Sequence, residues 1–148
     1  MKLLFIIPLL IVLIIPTCMF FSIPERYIMF EDDISIMRHD NTYVVDHSFT
    51  VLVGDDGVIV PKDYETALDN IPFTIKAPYT ATIAVLVMHS YLYDCPEFYT
   101  RYEADVALYN GLIAANDTKW DAFKKFMMVR MFSKSKFSEG VQCSEQFD

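Results

Sequence analysis

Residues 43–60 read YVVDHSFTVLVGDDGVIV, and the alternation within this stretch decides the class of fold. Side chains of an extended strand point to opposite faces in turn. Tyr43, Val45, His47, Phe49, Val51 and Val53 fall on one largely apolar face, with Asp46, Ser48 and Thr50 on the other, which predicts one half-buried strand over 43–53. Gly54-Asp55-Asp56-Gly57 then supplies turn residues before Val58-Ile59-Val60, the pattern of a β-hairpin. Upstream, Ile34 to Met37 followed by His39-Asp40-Asn41-Thr42 adds a strand and a turn, so a small antiparallel β-meander is expected. One or two helical turns over 61–70 and a short edge strand over 72–76 complete this half.

The second half reads as helical. Pro78 and Pro96 sit where the first turn of a helix tolerates proline, because the missing N–H would be unpaired there anyway. From Phe98, the series Tyr102, Val106, Tyr109 and Ile113 falls on one helical face, with Arg101, Glu103 and Asp105 elsewhere. Asn116, Asp117 or Thr118 can cap a last helix whose apolar face carries Trp120, Phe123, Met127 and Met131. The short connection between the two predicts an antiparallel helix pair on the sheet. Residues 77–93 carry no charge and approach the length of a membrane span. Yet Thr80, Thr82, His89 and Ser90 would need partners in lipid, so a buried helix or central strand is favoured, with His89 as a hydrogen-bonded core residue.

Working back to the amino terminus, Leu3 to Ile23 contains no charged residue and is long enough, as a helix, to cross the roughly 30 Å of a bilayer core. Neither Pro16-Thr17-Cys18 nor Phe20-Phe21-Ser22 makes a good signal cleavage site, so a retained anchor is preferred over a cleaved peptide. Lys2 before the run and the acids Glu25, Glu31, Asp32 and Asp33 after it place the remainder on the non-cytoplasmic side of a single-pass membrane protein. In such a compartment Cys95 and Cys143 are expected to pair, and Asn116-Asp117-Thr118 is a glycosylation sequon with Asn116 as acceptor. The expected organisation is a membrane anchor or uncleaved signal-like segment at 1–24, one α+β domain over 25–136, and a tail over 137–148.

Charge is uneven along the chain. Acids crowd residues 25–74, whereas 118–136 carries Lys119, Lys124, Lys125, Arg130, Lys134 and Lys136 against Asp121. A basic amphipathic helix can bind a membrane surface or a partner, and the plainer alternative is a core-facing helix whose lysines are solvated or meet the acidic half. Nucleic acid is excluded as a partner by the net charge of −8 and the single basic patch. No motif for a nucleophile, a phosphate loop or a calcium loop is present in the sequence, and no cofactor is implied. The nearest approach to chemistry is His39, Asp40, Asp46 and His47, which flank the proposed turn and offer imidazole and carboxylate ligands to a metal; alternation would separate His47 from Asp46.

The function expected is that of a structural or interaction protein without a catalytic site: an accessory subunit or envelope component of a membrane assembly. It would meet lipid through 3–23 and protein partners through Trp120, Phe123, Lys124, Lys125, Met127, Arg130 and Met131. The alternative is a secreted or tethered enzyme or metal-binding protein using the His39 to His47 region.

Overall fold

A computed structural model describes residues 22–31, 33–73 and 79–138 of the protein. The anchor expected over 1–24 lies almost wholly outside these residues, as do Cys143 and most of the expected tail. Among the described residues no helix is long and apolar enough to cross a membrane.

The fold is α+β, with two small antiparallel sheets and helices. Strands β1 (Ile28–Phe30), β4 (Phe49–Val53) and β5 (Asp56–Val60) form one sheet in the order β1-β4-β5. Strands β2 (Ile36–His39), β3 (Thr42–Val45) and β6 (Glu65–Thr66) form the other, in the order β2-β3-β6. The stretch 43–53, expected as one strand, is therefore two strands in different sheets. The chain bends at Asp46 to Ser48, where the Asp46 N–H still donates to the Ser35 carbonyl at 2.9 Å before the chain crosses over. The inward set survives the break, since Val45, Phe49, Val51 and Val53 are all buried. His47, placed by alternation on the apolar face, stands exposed on the bend, and its Nδ1 lies 2.9 Å from Asp46 Oδ2 rather than on the far side of a strand.

The hairpin at 53–56 forms as expected, with Val53 opposite Asp56 and Gly54 at a φ of 67°. Glycine at the first of two loop residues suits the right-handed twist of the flanking strands. Residues 61–70 form turns and β6 rather than helix, because Val45 bonds to both Asp63 and Tyr64 and holds this segment as a strand partner. Pro72 and Phe73 are loop, and 74–76 lie outside the described residues.

Helix α1 (Thr80–Asp94) is the centre of the molecule: it packs on helix α2 (Arg101–Ala114) and touches β2, β5 and the short helix α4 (Lys134–Ser138). Thr82 to Tyr93 are all buried, which accounts for most of the uncharged run as a core helix. Helix α2 begins at Thr100 rather than at Pro96. Thr100 and Glu103 form a capping box, each side chain accepting from the other's backbone N–H. Helix α3 (Lys119–Phe132) is capped by Thr118, whose Oγ1 accepts from the Asp121 N–H. Its buried face carries Ala122, Phe123, Phe126 and Val129, a rotation from the face expected, so that Trp120 and Met131 are exposed. The expected helix pair is thus three helices and a short fourth, and the domain runs at least to Ser138.

Two clamps hold the chain's distant parts. The Asn110 side chain accepts from the Arg26 N–H at 3.1 Å and donates to the Pro24 carbonyl at 3.0 Å, pinning the segment before β1 to α2. Cys95, at the end of α1, is 1% exposed and disulfide-bonded. The expected partner Cys143 lies outside the described residues.

Candidate functional site

The most concentrated chemistry among the described residues is a polar cluster inside the helical layer. His89 and Tyr93 are one turn apart on α1, and Arg101 and Asp105 one turn apart on α2, so two i, i+4 pairs face each other across the helix contact. Asp105 Oδ1 accepts from Tyr93 Oη at 2.7 Å and lies 3.0 Å from His89 Nε2, while Oδ2 accepts from Arg130 at 2.9 Å. On the other side of the imidazole, Asn70 Nδ2 faces Nδ1 at 3.4 Å, and Asn70 Oδ1 accepts from Ser90 Oγ at 2.8 Å. Because the Asn70 oxygen is taken by a hydroxyl, its NH₂ must be the group turned toward the ring. This assigns the neutral tautomer with Nδ1 accepting and Nε2–H donating to Asp105.

The electrostatics agree with that assignment. Burial lowers the His89 pKa from 6.5, against the opposing pull of Asp105. Burial alone would raise Asp105, but hydrogen bonds from His89, Arg130 and Tyr93 hold its carboxyl below the usual carboxylate value. The Tyr93 hydroxyl is pushed up, first by burial and then by the Asp105 charge. Arg101 completes the set by donating to the Val129 and Arg130 carbonyls at 2.7 and 2.6 Å in the last turn of α3, where Val129 also accepts from the Ser133 N–H. Ser133 Oγ donates to the Asn70 carbonyl at 2.6 Å.

His89 and Asp105 are both 0% exposed, and both imidazole nitrogens are occupied. A general base must reach the proton it removes. His89 and Asp105 have no free edge of their own, and Ser90 bonds to Asn70 rather than to the ring, while Asn70, Ser90 and Tyr93 border a small pocket of about 150 Å³. The cluster ties three helices and the 67–73 loop together.

The open feature borders the same C-terminal half of α1, where Tyr91 and Leu92 alternate with the cluster residues. A cleft of about 650 Å³ runs between β4, β5 and the α1–α2 connection, lined by Val58, Ile59, Tyr91, Leu92, Phe98 and Tyr99 and reaching Cys95. Arg26, Asp56 and Glu103 supply its charged groups. Ile59 is 53% exposed although it sits in a strand, and Phe98 is also exposed.

The residues expected to carry function are scattered. His39 and Asp40 lie exposed at the β2–β3 turn, where the Asp40 carbonyl accepts from Arg38 and the His39 carbonyl from Thr42. Among the described residues no group of three or more His, Cys, Asp or Glu converges as a metal site. Asn116 is exposed in the α2–α3 turn at a φ of 74°. Of the residues expected to form a partner face on α3, Phe123 is buried, Met127 is partly buried, and Arg130 is drawn into the polar cluster. The lysines meet the acids: Lys119 with Glu25, Lys124 with Asp121 at 2.6 Å, Lys125 with Asp117 at 2.6 Å, and Lys136 with Asp69 at 2.7 Å. Asp105, Arg101, Asn70 and Tyr93 were not singled out by their sequence positions. The available signal was the pairing of polar residues at helical spacing inside apolar runs.

Fold and site together define a small α+β protein with a buried polar cluster and an open apolar cleft. No protein-family model, curated protein or solved structure matches the chain.

Proposed function

We propose that the protein is an interaction module, tethered to a membrane by residues 3–23 on its non-cytoplasmic side, which holds an apolar segment of a partner membrane protein in the cleft. The observation that carries this is the position of Arg26. It lines the cleft and lies two residues beyond Pro24, which Asn110 pins to α2. A cleft at the point where the tether joins the domain lies beside the bilayer surface, within reach of the juxtamembrane segment of a neighbouring subunit. Aromatic walls with a few charged groups at the rim suit such a segment, because apolar side chains supply the affinity and polar groups the register. The role is that of an accessory subunit of a membrane assembly.

The test is a photo-crosslinking phenylalanine analogue in place of Tyr99, which is half-buried in the cleft, in the full chain in its native membrane. The expected product is an adduct with one membrane protein, lost when Phe98→Asp is added. Adducts confined to lipid, or to a second copy of the chain, would refute the reading.

A further inference from the structure

Strand β5 is a sheet edge, and its outward groups are fixed by alternation. The Glu31 N–H donates to the Thr50 carbonyl and the Gly54 N–H to the Tyr27 carbonyl, so the even residues of β4 bond toward β1 and its odd residues toward β5. The register Val51 opposite Val58 and Val53 opposite Asp56 then turns Asp56, Val58 and Val60 toward β4. Gly57 and Ile59 direct their N–H and C=O groups away from the sheet. Among the described residues no strand covers that edge.

Gly57 adds a second observation. A glycine inside a strand is destabilising by roughly 0.5–1 kcal/mol and often marks a close approach of another backbone. Within the monomer nothing requires it: a Cβ there would meet Leu52 and Thr50 at ordinary contact distances of 3.7 and 3.8 Å, and its φ lies outside the left-handed region.

We infer that β5 pairs with β5 of a second copy, antiparallel about a twofold axis through Val58. In that register Gly57 stands opposite Ile59 of the second copy, and the reverse. All the outward N–H and C=O groups of both residues are satisfied, and Pro61, which lacks a donor, stays outside the ladder. The exposed Ile59 side chain covers the bare Cα of the opposing glycine. Charge complements the register: Asp56 lies diagonally across from Lys62 just beyond the other strand's end, about 7–8 Å away at the backbone and within reach of a lysine. The inference goes beyond the partner reading of the cleft and stands without it.

The test is the molar mass of the full chain in detergent by light scattering over a dilution series. The wild type is expected to dissociate from dimer to monomer on dilution. Ile59→Lys is expected to be monomeric throughout with a melting point equal to that of the wild-type monomer, since the side chain is 53% exposed in the monomer and a lysine on an edge strand opposes pairing. Asp56→Lys should raise the dimer dissociation constant about tenfold, and adding Lys62→Asp should restore it. A wild type monomeric at every concentration, an Ile59→Lys dimer, or a double charge reversal that does not restore pairing would overturn the proposal.

Discussion

With Nδ1 accepting from Asn70 and Nε2 donating to Asp105, His89 has no lone pair left for a second proton. Protonation would set an N–H against the Asn70 NH₂. The folded pKa lies below 6.5, so in mild acid the unfolded chain binds a proton that the folded chain refuses. Stability should therefore fall as pH drops below about 6.5, by up to about 1.4 kcal/mol per pH unit, until the folded pKa is reached. Asp105, held below its usual value, adds a loss in the same direction in stronger acid, while Asp94, raised by burial and by nearby Asp69, acts in the opposite sense there. Urea unfolding between about pH 7 and about pH 5 checks this: the slope should flatten in His89→Asn. Asp105→Ala leaves Arg130, His89 and Tyr93 without their acceptor, and should cost about 3–5 kcal/mol in the same measurement.

The contact between α1 and α2 depends on the absence of a side chain at Gly111. A Cβ there would stand 2.7 Å from Val85 Cγ1 and 3.0 Å from Cγ2, and Val85 is fully buried. Gly111→Ala should lose about 1–3 kcal/mol by overpacking, despite the better helix propensity of alanine. Pairing it with Val85→Ala should recover part of the loss, which a double-mutant cycle in denaturant would reveal. At this scale the sequence is legible where one local rule acts alone. The Gly54 hairpin, the Thr118 cap and the burial of Thr82 to Tyr93 all follow from local composition. It misleads where tertiary pairing intervenes. Period-2 alternation runs unbroken through Asp46 to Ser48, yet the strand divides there between two sheets. Residues 61–70 carry a helical pattern but are claimed by Val45 as a strand neighbour. Asp105 reads as a solvated helix residue because its partners on α1 and α3 are twelve or more positions away. The cleft was not legible, since its walls come from two strands, two helices and the segments around them.

For the molecule as a whole, three covalent or polar ties decide how the domain is held: the disulfide at Cys95, the Asn110 clamp and the buried polar cluster. A disulfide of a long loop typically contributes about 2–4 kcal/mol. Unfolding followed with and without a reductant should show a loss of that size, and Cys95→Ala should be insensitive to the reductant. The cluster has a further consequence, in time rather than in energy. Asn70, His89, Asp105, Arg130 and Ser133 come from a loop, three helices and a helix junction. Until all have met, each is better served by water, so the network closes only after the rate-limiting collapse. Variants such as Asp105→Ala should then leave the refolding rate nearly unchanged and speed unfolding, which makes the cluster the latch that sets how long each folded molecule lasts.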